Sequence, residues 1–148
     1  MKMKKYDNIL VALDLSDESS QVLSRALLMK KAFNATLSIV HVIEPLGYAY
    51  GGDIPMDLSE VQLQLETQAQ NRLKEIGEEH GLNHELLNVI IGRPETEIHR
   101  MALEGNFGLV IVGSHGRHGI QLLLGSTSNS VLHGAKCDVL AVRLDESN

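Results

Sequence analysis

The chain has one cysteine, Cys137, so no disulfide can close within it, and a reducing compartment is the natural reading. Nothing places a base beside that thiol, which reads as a small packing residue. Positive charge is also scarce: thirteen Lys and Arg stand against nineteen Asp and Glu, a formal net charge of −6 at pH 7. Binding along a phosphate backbone needs a basic face, so nucleic acid is not expected as a partner. Long hydrophobic runs are missing as well. The run nearest the N-terminus, Ile9 to Leu13, is too short for a signal-peptide core or a membrane span. We therefore expect a cytoplasmic protein with no membrane partner.

Several chemistries lack their residues. There is no GxxxxGK[ST] loop and no GxGxxG dinucleotide fingerprint. No Ser–His–Asp or Cys–His set has a recognisable spacing and no paired carboxylates stand out, so no catalytic residue is assigned. His115 and His118 lie three apart, without a nearby carboxylate or cysteine to complete a metal site. The other histidines are scattered, and no metal ligand set is assigned.

What the chain does have is alternation. Ile9–Leu13, Thr36–Ile43, Glu85–Ile91, Leu109–Val112 and Asp138–Leu144 are apolar or β-branched runs that predict strands. Between them lie amphipathic helical patterns. Val22, Leu23, Ala26, Leu27 and Phe33 share one face, and Leu58, Val61, Leu65, Ala69, Leu73 and Ile76 share another. Pro94 suits the first turn of a third helix that turns Ile98, Met101 and Ala102 inward. A single pass of buried strands and helices predicts one α/β domain, residues 1–148, with an open parallel sheet and helices on both faces. The stretch from Glu44 to Asp57 has no apolar period and is long enough for a functional lid.

The most informative stretch is LVIVGSHGRHGIQLLLGSTSNSV, Leu109 to Val131. A buried strand runs into Gly113, Gly116 and Gly119, then reaches Gly125 and the hydroxyl-rich start of a helix, Ser126, Thr127 and Ser128. Glycines let main-chain N–H groups approach an anion, and a helix start adds its orphan N–H groups and dipole. The same stretch can equally be a tight turn before a capped helix. Arg117 is the cation of this loop, facing either a phosphate or water. Asp14, after the first strand, is either a nucleotide ligand or a loop carboxylate assisting the first helix. Tyr48 and Tyr50 leave the carboxyl end of strand 2, where either could stack on a purine.

Gly113-Ser-His-Gly116, a spacer and Gly125-Ser126 resemble the G-x2-G-x9-G-[ST] signature of the universal stress protein family. The spacer, Arg117 to Leu124, holds eight residues and is one short of that pattern. The resemblance extends over the whole chain. It implies a Rossmann-like sheet of order 3-2-1-4-5, of the adenine nucleotide alpha hydrolase-like kind, with its crevice between strands 1 and 4. It implies binding of an adenine nucleotide, ATP or AMP, with Mg2+ able to accompany the phosphates. Carried over by position, the nucleotide residues are Ala12, Asp14, Val42, Val112, Gly113, Gly116, Arg117, Gly125, Ser126, Thr127 and Ser128. A homodimer through the fifth strand is implied too, with Val139, Leu140, Ala141 and Val142 left exposed at the sheet edge unless paired. The expected function is a stress-response regulator that changes its surface for a protein partner when nucleotide is bound. The alternatives are a scaffold dimer without nucleotide and a weak ATPase.

Overall fold

The computed structural model describes residues 6–46, 58–114 and 126–145. Its elements are β1 (Asn8–Ala12), α1 (Ser19–Phe33), β2 (Thr36–Ile43), α2 (Ser59–Glu79), a single 3-10 turn (His84–Leu86), β3 (Leu87–Ile91), α3 (Pro94–Glu104), β4 (Leu109–Gly113), α4 (Ser126–Gly134) and β5 (Asp138–Val142). The strands form one sheet in the order β3-β2-β1-β4-β5, and every neighbouring pair is parallel. The open parallel sheet is the one read from the alternation of runs, and the strand order is the one that the family resemblance implies.

Both faces of the sheet are covered, which explains why the central strands are apolar without alternation. Ile9, Val11, Ile39 and Ile111 face Val22, Leu23 and Ala26 of α1 and Leu73 and Ile76 of α2. Leu10, Val40, Val110 and Val112 face Ile98 and Ala102 of α3 and Val131 of α4. Each fully buried aliphatic side chain of this kind contributes about 1.5–3 kcal/mol. α1 closes at Asn34, whose φ of 50° is the left-handed cap that asparagine tolerates well.

Element ends depart from expectation in instructive ways. Glu85 belongs to the 3-10 turn, so β3 begins only at Leu87. The apolar stripe of α2 is buried only in its second half: Ala69, Leu73 and Ile76 are buried, whereas Val61 and Leu63, nearer its start, are exposed. Phe33 is 46% exposed, yet its ring meets Tyr6 edge-on with centroids 5.0 Å apart. The expected row of exposed apolar residues on β5 is corrected at Val142, which is only 3% exposed because it sits in the core with Leu144 and Val22. Val139 and Leu140 are half-buried against opposite faces of the sheet, leaving Ala141 exposed.

Tyr6 ties the start of β1 to the start of β5: its hydroxyl donates to Asp138 Oδ2 at 2.6 Å. That hydrogen bond, with smaller contributions from burial and the carboxylate charge, holds the phenol above its ordinary pKa. Its stabilising contribution is complete below the ordinary tyrosine pKa of about 10 and falls as pH rises, because the unfolded chain ionises first. Denaturant melts are expected to show a loss of stability above about pH 10 that is reduced in Tyr6→Phe. An alkaline limb unchanged by the substitution would exclude this bond as its source.

Candidate functional site

β1 and β4 are neighbours whose chains leave in opposite directions, β1 towards β2 and β4 towards β5. A crevice opens outside the carboxyl ends of parallel strands at such a switch point. The ladder between them pairs Ile9 with Leu109, Leu10 with Val110 and Val11 with Ile111. Ala12 and Val112 are the next residues along, at the point where the strands part. Both, with Val42 of β2, belong to the face of the sheet that carries α3 and α4. Three of the sequence candidates thus share one face at the head of the crevice.

Asp14 follows β1 and is exposed. Its Oδ1 accepts three hydrogen bonds, from Ser16 N at 2.9 Å, Ser16 Oγ at 2.6 Å and Ser19 Oγ at 3.3 Å. It therefore organises the turn into α1, whose N-cap, Glu18, makes no side-chain cap bond. Leu15, inside this turn, has a φ of 62°. A left-handed leucine costs about 1–2 kcal/mol, which the Asp14 bonds and the packing of Leu15 against the core offset. The next strand supports the same turn. The His41 ring Nδ1 lies 2.7 Å from the Leu13 carbonyl, and since a carbonyl only accepts, Nδ1 carries the proton.

Gly113 closes β4 without a positive φ. Its missing side chain is explained by crowding: a Cβ there would lie 3.2 Å from Leu144 Cδ1 and 3.3 Å from Val22 Cγ2. The ladder to β5 runs one rung further, with Ser114 N donating to the Val142 carbonyl at 2.7 Å. Ser128, in the first turn of α4, is 4% exposed and its hydroxyl donates to the Gly113 carbonyl. That bond holds the start of α4 against the carboxyl end of β4. The first N–H groups of a helix lack intrahelical partners, so this junction presents main-chain donors and a positive dipole end.

Gly116, Arg117 and Gly125 lie outside the described residues, as do His115, His118, Tyr48, Tyr50 and most of the 44–57 stretch. Ser126 and Thr127 belong to the first turn of α4, but their side chains lie outside what is described. Among the described residues no group of three His, Cys, Asp or Glu could hold a metal ion, and no helix is long and apolar enough to cross a membrane. Sequence reasoning overlooked Ser19, His41 and Leu15. The spacing Asp14-x-Ser16-x-x-Ser19 carries a signal for the first, since a carboxylate two and five residues before hydroxyls can bond both. The other two become visible only once β2 lies beside β1.

Sheet order, two-sided helical cover and a switch-point crevice define a Rossmann-like α/β protein. The universal stress protein family model matches residues 5–143, and the chain belongs to that family. Two relatives from Coxiella burnetii strengthen the assignment. Universal stress protein A homolog 2 is 43% identical, covering 98% of this chain and all of its own length. Universal stress protein A homolog 1 is 39% identical, covering 95% and 99%. Among solved structures, hypothetical protein MJ0577, whose biochemical function was assigned from its structure, superimposes with a TM-score of 0.74 at 26% identity, covering 97% of this chain and 99% of its own. A universal stress protein in complex with cAMP superimposes with a TM-score of 0.59 at 26% identity, covering 94% and 98%.

Proposed function

We propose that this chain, acting as one domain, is an adenine-nucleotide-binding stress-response regulator that works by occupancy of the β1/β4 crevice. The observation that carries the reading is the Ser128–Gly113 bond, which seats a helix N-terminus at the end of β4, beside the point where β1 leaves it. An anion finds there main-chain N–H donors rather than a ring of lysines, which suits a chain of net charge −6. Ala12, Val42 and Val112 offer the apolar side of the crevice to a base, and the exposed Asp14 offers a carboxylate. Gly113, Gly116, Arg117, Gly125, Ser126 and Thr127 would hold the phosphates. Mg2+ would share their charge, and Ser128 would position the helix. A relative in complex with cAMP supports an adenine nucleotide as the class. We propose further that the protein is cytoplasmic and pairs with a second copy along β5, an end strand of the sheet whose outer main chain has no neighbouring strand among the described residues.

Thermal melts with ATP, AMP and cAMP, with and without Mg2+, test the reading. At about 100 times its Kd a nucleotide adds about 2.7 kcal/mol, a rise of about 5–10 °C for a domain of this size. Ser128→Ala is expected to weaken that shift by freeing the helix start. No shift with any adenine nucleotide would remove the reading and leave a scaffold dimer.

A further inference from the structure

A second cavity, of about 240 Å³, lies between α3 and α4 at the amino-terminal end of β4, the far end of that strand from Gly113. Its floor is apolar and buried: Ala102, Phe107, Val110 and Val131. Its rim is exposed and consists of Leu103, Asn106 and Lys136. Two glycines shape the walls. A Cβ on Gly105 would come within 2.4 Å of the Phe107 ring, and one on Gly134 within 2.4 Å of the His99 ring. His99 is fixed in turn by its Nε2, which donates to the Val131 carbonyl at 2.7 Å.

The volume exceeds the roughly 150 Å³ of an apolar cavity that accepts benzene. Charge then selects the occupant. No acid is among the cavity's lining residues; of the acids next to those residues in the chain, Glu104 pairs with Arg100 and Asp138 accepts from the Tyr6 hydroxyl. Lys136 has no ion-pair partner among the described residues. A ligand with an apolar body and one negative group matches both floor and rim. We propose that this pocket binds a small free carboxylic acid, its apolar body against Phe107, Val110 and Val131 and its carboxylate at Lys136. The inference is independent of the nucleotide reading, because the two sites lie at opposite ends of β4.

Cys137, the chain's one thiol, lines the same cavity and serves as reporter. Burial, with Asp138 adding to it, pushes that thiol up, so alkylation is followed above neutral pH, where enough thiolate is present. Octanoate at about ten times its Kd is expected to slow labelling of the full chain about tenfold, since only the empty pocket reacts. Octylammonium is expected to leave the rate unchanged. In Lys136→Glu, a surface substitution, octanoate protection is lost, and Ala135→Leu, which narrows the rim, removes it as well while the far-ultraviolet spectrum stays native. Equal protection by octanol, or octanoate protection that survives Lys136→Glu, overturns the proposal.

Discussion

Ile111→Ala is expected to destabilise the protein by about 2–5 kcal/mol, the range for emptying a buried aliphatic site. Ile111 is fully buried, lies on β4 opposite Val11 of β1 and Leu140 of β5, and packs in the cluster that joins α1 and α2 to the sheet. Strands on both sides hold its backbone in place, so the site cannot collapse and the cavity term is retained. At about 2–4 °C per kcal/mol for a domain near 150 residues, the melting temperature should fall by about 4–20 °C. A smaller loss would mean that α1 settles into the vacated space. Because Ile111 faces away from the α3 and α4 side of the sheet, any nucleotide shift found for the parent protein under the proposed function should be retained well below the melting point.

Gly113→Val is the second large effect, and it separates packing from binding. Valine brings a Cβ to within 3.2–3.3 Å of Leu144 and Val22, two side chains that are themselves buried, with further methyl groups beyond it. Overpacking of this kind costs about 1–3 kcal/mol, so the ligand-free protein should melt several degrees lower. A nucleotide shift missing from this variant therefore has two sources, the altered loop and the strained core. Val22→Ala resolves them by removing one of the crowded methyls. The double variant is expected to be less destabilised than the two single losses added together, an interaction of about 0.5–3 kcal/mol for residues in contact. Simple additivity in urea melts would show that Gly113 is not constrained by Val22.

The fold was legible because its signal is made by burial itself. Runs such as Ile9–Leu13 and Leu109–Val112 are short and apolar without alternation, as strands with cover on both faces are, and the positions of Val22, Leu23, Ala26, Leu73 and Ile76 say where part of that cover comes from. At the candidate site the sequence proposes positions, and the structure shows what the described ones bond to. Gly113 reads in sequence as conformational freedom, whereas its structural cause is the approach of Leu144, thirty-one residues later in the chain. Ser128 reads as a hydroxyl for a ligand, and its proton goes instead to the Gly113 carbonyl. Asp14 reads as a choice between ligand and cap. Its bonds to Ser16 and Ser19 give it a structural duty that exists whether or not a nucleotide is present. The overestimate at Val142 has a similar origin: an end strand is open along its edge, but its faces remain under helices and under the chain that follows it.

α2 is held unevenly along its length, its opening turns tied to Leu46 N through Gln62 Oε1 at 3.2 Å. Its second half carries Leu73 and Ile76 into the core, while its opening turns show Val61 and Leu63 to solvent. Hydrogen bonds alone barely sustain a short isolated helix in water. The second half is therefore expected to share the cooperativity of the whole domain, and the opening turns to exchange their amides faster. One continuous helix is thus expected to show two exchange regimes in amide hydrogen exchange, changing near Ala69, where its buried residues begin.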